Sequence, residues 1–413
     1  MRTSLYLCYF GVREPLVQTQ VVPYLVEIGK YDVRLHLLTF EPDPIDRADA
    51  DRLREELSAK GIMWTWLRYH KRPSALATAY DVLCGALVIY RMIRREQIDV
   101  LHGRVHIPTL MGALARKLSS RKPKLLFDIR GFFPEEYTDA GIWPEGGWLY
   151  RSAKRVERWL LNEADGFVVL TEKARDILFP ESNETGLDKR GRPVEVIPCC
   201  VDLKRFEVIS DESRDEMRRE LKIGNRFVVA YVGSFGGWYL TREMFDFFAA
   251  AREADPSVFI MVLTQRDKAM VIDKLRAAGF ADGDFLVDSV LPEDLPRYLN
   301  AADAGVSFIK RCYSKQASSP TKNAEYLASG LPIIANSGVG DVDALISEHG
   351  IGVIVERFNL ECYLDSLTAA RALGNIRQQC REAAETVFDL ETVGGGRYRR
   401  LYRRLLGNID WGS

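Results

Sequence analysis

At 413 residues the chain is longer than one ordinary core, and a rule of roughly 100–200 residues per domain makes two domains the simplest count. Its 47% hydrophobic and 28% charged residues are those of a folded globular protein and exclude a disordered or membrane-spanning one. Fifty-seven basic and 58 acidic residues give a formal net charge of -1, which excludes a global field for nucleic acid, so any anion site must be local.

The apolar stretch that follows Arg2 is short, contains Tyr and Cys, and lacks a cleavage signature, so it reads as a first strand and not as a leader. Along the chain, β-branched or aromatic runs alternate with longer amphipathic segments, the pattern of parallel sheets with helical crossovers. The first series of strands falls at residues 4–10, 33–40, 63–67, 99–102, 124–128, 166–170 and 194–197. Between them, the apolar run 82–92 is about half of the ~20 residues needed to cross a bilayer and is interrupted by Arg91.

A proline-cysteine stretch, Ile197-Pro198-Cys199-Cys200, then gives way to a charged segment, which marks a break within residues 202–225. The second series of strands falls at 227–232, 257–263, 284–287, 304–308, 331–335 and 352–355. The tail, residues 360–406, has a helical pattern that Gly394-Gly395-Gly396 interrupts. The expected fold class is α/β, with two facing Rossmann-like doubly wound domains. Their expected spans are residues 1–205 on the acceptor side and 206–385 on the donor side, with a C-terminal helix in 386–413 that returns toward the first domain. Seven cysteines, odd in number and without CxxC spacing, argue against a disulfide framework or a zinc site and fit a reducing cytoplasm.

The most informative stretch is Ser319-Pro320-Thr321-Lys322-Asn323-Ala324-Glu325, followed by Gly330-Leu331-Pro332. Ser319 suits an N-cap, Pro320 the first helical position, and Gly330 the left-handed residue that ends the helix. The helix starts where a preceding strand ends, so its N-terminus is expected at the ligand crevice of an open sheet. Free N–H groups and about half a positive charge suit a diphosphate there, and Lys322 adds a full charge. Glu325, on the same face one turn on, can accept hydrogen bonds from sugar hydroxyls. An isolated Lys–Glu pair at this spacing also reads as a solvated pair worth only ~0.2–0.5 kcal/mol.

In order, the chain carries Pro15-Leu16-Val17-Gln18-Thr19-Gln20, Glu163-Ala164-Asp165, Val196-Ile197-Pro198, Tyr231-Val232-Gly233-Ser234 and the Ser319 to Ala335 stretch. Together these resemble the retaining glycosyltransferases of the GT-B fold, specifically family four, over almost the whole length. The resemblance implies that Glu325 is the second Glu of the family's Glu-x7-Glu pattern and binds the nucleotide ribose; the first Glu position holds Ala317. The donor site is expected at Gly233, Ser234, Gly236, Ser319, Thr321, Lys322 and Glu325, joined by Arg266, which follows a strand at the edge where open α/β sheets bind ligands. The resemblance also implies an acceptor side of Gln18, Arg104 and Arg130, where Arg130 occupies the place of the family's usual His. Arg130, Lys322 and Glu325 are the residues expected to carry catalysis. The Glu135-Glu136 pair beside Arg130 reads either as acceptor chemistry or as an ion pair.

Asp282-Gly283-Asp284 and Asp341-Val342-Asp343 match a metal-binding Asp-x-Asp by letter, but turn and cap chemistry explains both, and no cofactor or essential metal is expected. His102 and His106 lack a third ligand. The expected activity is sugar transfer from a nucleoside diphosphate sugar to a saccharide or lipid-linked acceptor, with retention, in glycan or cell-surface polysaccharide biosynthesis. A non-catalytic nucleotide-sugar-binding protein and a sugar-nucleotide epimerase are the rival readings. The expected location is cytoplasmic, with weak peripheral contact to an anionic membrane. That contact would run through Arg91, Arg94 and Arg95 and through Arg151, Lys154, Arg155 and Arg158.

Overall fold

A computed structural model describes residues 1–72 and 74–407; residues 408–413 of the expected C-terminal segment lie outside the described residues. The chain forms two compact units, Met1–Pro198 with the chain from Leu390 onward, and Cys199–Asp389. In the first unit the strands are β1 (Arg2–Leu7), β2 (Val33–Glu41), β3 (Ile62–Arg68), β4 (Val100–Arg104), β5 (Lys124–Ile129), β6 (Gly166–Val169) and β7 (Val194–Val196). In the second they are β8 (Val228–Val232), β9 (Phe259–Leu263), β10 (Phe285–Asp288), β11 (Ala304–Ser307), β12 (Ile333–Asn336) and β13 (Gly352–Val355). Each expected strand segment overlaps one of these.

The sheets are ordered β3-β2-β1-β4-β5-β6-β7 and β10-β9-β8-β11-β12-β13, and the strand pairs are parallel. Both are Rossmann-like. Their direction of growth reverses between β1 and β4 and between β8 and β11, and the crevice at the carboxyl ends of such strands is where open α/β sheets bind ligands. The central strands are covered on both faces, which is why they read as nearly continuous apolar runs. In β8, Val228 and Ala230 face a core with Leu299, Tyr326 and Cys380, while Val229 and Tyr231 face Phe247 and Phe248 on the other side.

The units meet in sequence at 198/199 and 389/390, where the sequence pattern suggested 205/206 and 385/386. The physical reason is packing: Val201, Leu203 and Phe206 are buried in the core of the second unit. In addition, the N–H of Val201 donates to the carbonyl of Phe388 at 2.9 Å. Helix Arg377–Phe388 belongs to the second unit. The glycine run then forms a π-helical turn, Leu390–Gly395, before helix Gly396–Leu406 in the first unit. A side chain on Gly395 would lie 3.0 Å from Cβ of Glu27, so the glycine lets this turn approach helix Val22–Gly29.

The helix that the sequence singled out spans Thr321–Ala328. It ends in a Schellman motif: Gly330 has φ 76°, its N–H donates to Leu327 at 2.9 Å, and the N–H of Leu331 donates to Tyr326 at 2.9 Å. A Cβ on Gly330 would also stand 3.0 Å from Cβ of Arg377. Gly330→Ala should therefore cost about 1–2 kcal/mol for the left-handed backbone, plus the contact, and lower the thermal midpoint by about 2–4 °C per kcal/mol. Differential scanning calorimetry checks this, and an unchanged midpoint would contradict the motif.

Candidate active site

Two segments meet at the switch point of the second sheet: the loop after β8 and the helix Thr321–Ala328 after β11. Tyr326 ties that helix to both flanking strands, since its hydroxyl accepts from the N–H of Val232 at 2.9 Å and donates to the carbonyl of Val306 at 3.2 Å. Gly305 makes room for the ring, because a Cβ there would fall 2.4 Å from a ring carbon of Tyr326. In the loop, Gly233, Gly236 and Gly237 have φ of 131°, 77° and 60°, conformations that favour glycine. Gly236 donates its N–H to Thr241 Oγ1 at 2.9 Å, and the N–H of Lys310 donates to the carbonyl of Trp238 at 2.8 Å. The loop is thus stitched to the segment after β11.

Lys322 is buried, at 6% exposure, at the start of the helix. Its Nζ lies 4.1 Å from the ring centroid of Tyr231 and 4.0 Å from that of Tyr239, and it makes no hydrogen bond to the protein. A Cβ on Gly233 would approach this Nζ to 3.2 Å, so the glycine leaves room for the lysine head group. Aromatic faces stabilise a cation without neutralising it. Loss of water pulls the Lys322 ammonium down to about 7, against the pull of Glu325. The same cause pushes the half-buried Glu325 carboxyl up to about 7, against Arg205 and Lys322.

Folding weakens proton binding at Lys322, so its contribution to stability rises with pH from about 7 up to the ordinary lysine value. Folding strengthens proton binding at Glu325, so its contribution falls as pH rises from the ordinary carboxyl value to about 7. Near neutrality both charged forms oppose folding. An anion with hydroxyl groups beside it answers both: it supplies the counter-charge for Lys322 and donors for Glu325.

Ser319 does not cap the helix. Pro320 occupies the N-cap position, and Ser319 Oγ accepts from the N–H of Cys199 at 3.0 Å, which fixes the start of the second unit against the helix entrance. Thr321 is the first helical residue and is half-buried. Ser234 is exposed, and its carbonyl accepts from the Tyr231 hydroxyl. Arg266 is exposed on the loop after β9, one strand away from the switch point, and no contact joins it to Lys322. Ala317 is buried at 1% exposure. Two residues earlier stands a residue that sequence reasoning missed: Lys315 is also buried, with Nζ 4.0 Å from the ring centroid of Trp238. The signal was the Trp238-Tyr239 pair next to the glycine loop, which gives each lysine an aromatic seat.

In the first unit, Arg104 at the end of β4 and Arg130 after β5 converge on the fully buried Asp128. Arg104 Nη1 is 4.0 Å from Oδ2, Arg130 Nη1 is 3.7 Å from Oδ1, and His102 Nε2 is 3.6 Å from Oδ2. The Tyr398 hydroxyl donates to Oδ2 at 3.1 Å. Against the cost of burial, Arg130, His102 and Arg104 hold the Asp128 carboxyl at about 2. Burial lowers His102 despite Asp128, so it is neutral at pH 7 and two guanidiniums outnumber one carboxylate. Next to Arg104, Val105 has φ 61°, a strained conformation for a β-branched residue, at the switch point of the first sheet.

Gln18 is not part of this cluster; it is exposed and donates to the carbonyl of Val12 at 2.6 Å. Arg104 meets the carbonyl of Gln20 instead, at 3.5 Å. Glu135 pairs with Lys154 at 3.0 Å and accepts from the Tyr150 hydroxyl at 3.1 Å, the ion-pair reading of that segment. His106 meets Glu157 at 3.0 Å, separately from His102. Asp282 is engaged by Arg276, and Asp284 by Arg226 and Arg252.

Two Rossmann-like units with parallel sheets of this order make up the GT-B fold. Residues 21–200 match the glycosyl transferase 4-like domain family. No curated protein matches the sequence. Among solved structures, a glycosyltransferase from Rickettsia africae has a TM-score of 0.69 at 14% identity, covering 99% of each chain. Sucrose-phosphate synthase from Thermosynechococcus elongatus has a TM-score of 0.70 at 15% identity, over 98% of this chain and 99% of that one. Anabaena HepE, solved with UDP and glucose, has a TM-score of 0.65 at 15% identity, over 97% and 99%.

Replacing Lys322 with Ala should weaken nucleoside diphosphate binding by about 1.5–3 kcal/mol, roughly ten- to 150-fold. Glu325→Gln should weaken nucleoside diphosphate while leaving inorganic pyrophosphate nearly untouched. Isothermal titration calorimetry reads both; equal losses for the two ligands in Glu325→Gln would remove the carboxylate from the ribose.

Proposed function

We propose that the protein transfers a sugar from a nucleoside diphosphate sugar to a saccharide or lipid-linked acceptor, with retention at the anomeric carbon and without an essential metal. The observation that carries this reading is Lys322, a buried cation with no hydrogen bond from the protein, held at a helix N-terminus against Tyr231 and Tyr239. Lys322 and the first N–H groups of that helix hold the diphosphate and stabilise the charge that grows on it as the glycosidic bond breaks. The Gly233 loop contributes room for the diphosphate, since the N–H groups of Gly233 and Gly236 are already given to the Leu263 carbonyl and to Thr241 Oγ1. Glu325 accepts from the ribose hydroxyls. Lys315 adds a second cation close by in sequence and supports the same phosphates. HepE, a neighbour solved with UDP-glucose, supports a nucleotide-sugar donor.

Arg104 and Arg130 form the polar end of the acceptor-side unit. No Asp or Glu is assigned as a covalent nucleophile, and the resemblance to family four implies that the leaving phosphate itself takes the proton of the acceptor hydroxyl. The replacement of the family's first Glu by the buried Ala317 favours, as a second reading, a protein that binds nucleotide sugar without turnover.

Incubation with nucleotide sugars, followed by proton NMR of the products with and without an acceptor, separates the readings. Transfer is expected only with acceptor, with the donor's anomeric configuration in the product. Isomerised donor in its absence would point to an epimerase, and binding without any product would point to a non-catalytic protein. EDTA should leave the rate essentially unchanged, and a strict magnesium or manganese requirement would contradict the metal-free mechanism.

A further inference from the structure

Helix Ser74–Arg95 is the one helix among the described residues with the length and composition to cross a membrane. Spanning is excluded by its inward face, because Val82, Ala86, Ile89 and Ile93 are buried in the first unit. The outward face is apolar as well. Leu76, Tyr80, Leu83 and Leu87 are 72%, 56%, 63% and 51% exposed, and their spacing of four, three and four residues aligns them in one stripe. A surface helix normally carries polar residues there. The stripe then gives way to Arg91, Arg94 and Arg95, all exposed.

Arg95 also lines a cavity of about 620 Å³ together with Arg2, Arg34 and Arg121. The two carboxylates of that cavity are already engaged. Glu96 pairs with Arg95 at 3.2 Å, and Asp99 pairs with Arg2 at 3.3 Å and with Arg121 at 2.8 Å. Four guanidiniums against two carboxylates leave the end of the stripe cationic. Helix Trp148–Glu163, which like Ser74–Arg95 packs against helix His106–Leu118, adds the 72% exposed Trp148 and the exposed Arg151, Arg155 and Arg158. Lys154 drops out of that group, because Glu135 and Glu157 hold it.

We infer that the outward face of helix Ser74–Arg95 is a docking surface for an anionic phospholipid bilayer. An apolar stripe that runs into a cluster of arginines matches acyl chains beside phosphates, which a bilayer interface offers together. A second copy of the chain fits less well. The exposed residues of this helix include no carboxylate, so the same face on a partner brings the arginines no counter-charge. The surface is separate from the donor site and does not depend on the proposed transfer.

Flotation of the full chain with phosphatidylcholine vesicles, with and without phosphatidylglycerol, tests this at low and high salt. The protein should float with the anionic vesicles at low salt and be released at high salt. Arg91→Gln with Arg94→Gln should lower partitioning about fivefold per arginine, and Leu83→Ser with Leu87→Ser should lower it more than about tenfold. Both variants should keep the parental thermal midpoint, and the arginine pair alone decides the electrostatic half. Equal flotation with neutral vesicles, or none with either, would overturn the inference. So would a dimer in light scattering that the leucine pair converts to a monomer.

Discussion

The second unit is organised around one ammonium group that the protein buries without giving it a hydrogen-bond acceptor. Lys322 is held by Tyr231 and Tyr239 and lies over the backbone of Gly233. Each of these is fixed by something else. Tyr231 is core to the switch-point strand, Tyr239 is placed by the turn through Gly236, and the helix that carries Lys322 is anchored by Tyr326 and closed by Gly330. A buried charge of this kind costs stability in proportion to its desolvation, and the fold tolerates it because the surrounding aromatic and glycine positions are over-determined. An arrangement fixed in this way would need little rearrangement to accept an anion.

The first unit solves the opposite problem. There the charges are paired, and Asp128 gathers Arg104, Arg130, His102 and Tyr398 into one fully buried network. Tyr398 comes from the final helix, as does Tyr402, whose hydroxyl meets Ser4 at 2.8 Å and His102 at 3.0 Å. The C-terminal helix therefore completes the polar core around Asp128. Removing one partner from such a network leaves another uncompensated, so its members act as a unit.

The strands were legible because parallel sheets covered on both faces write their period directly into apolar runs such as those of β8 and β9. The helix Thr321–Ala328 was legible from Pro320 and Gly330, whose backbone constraints are local. Ser319 was misread for the same reason: its sequence neighbours suit an N-cap, but its partner, the N–H of Cys199, is 120 residues away. Lys315 escaped notice because its role depends on Trp238 across the switch point. Arg266 looked equivalent to it, yet the strand order puts Arg266 one strand further out. The network around Asp128 was invisible for a similar reason, since the hydroxyls of Tyr398 and Tyr402 arrive from the far end of the chain.

The central claim is that Lys322 is a buried ammonium poised for phosphate. Its titration can be followed by NMR of protein labelled at lysine with carbon-13 and nitrogen-15, with Lys322→Arg to assign the signal. One lysine should titrate near 7 in the free protein and move upward when a nucleoside diphosphate binds, as proton uptake restores its charge. Titration in the ordinary lysine range near about 10.4, or a signal that the nucleoside diphosphate leaves unmoved, would contradict the account.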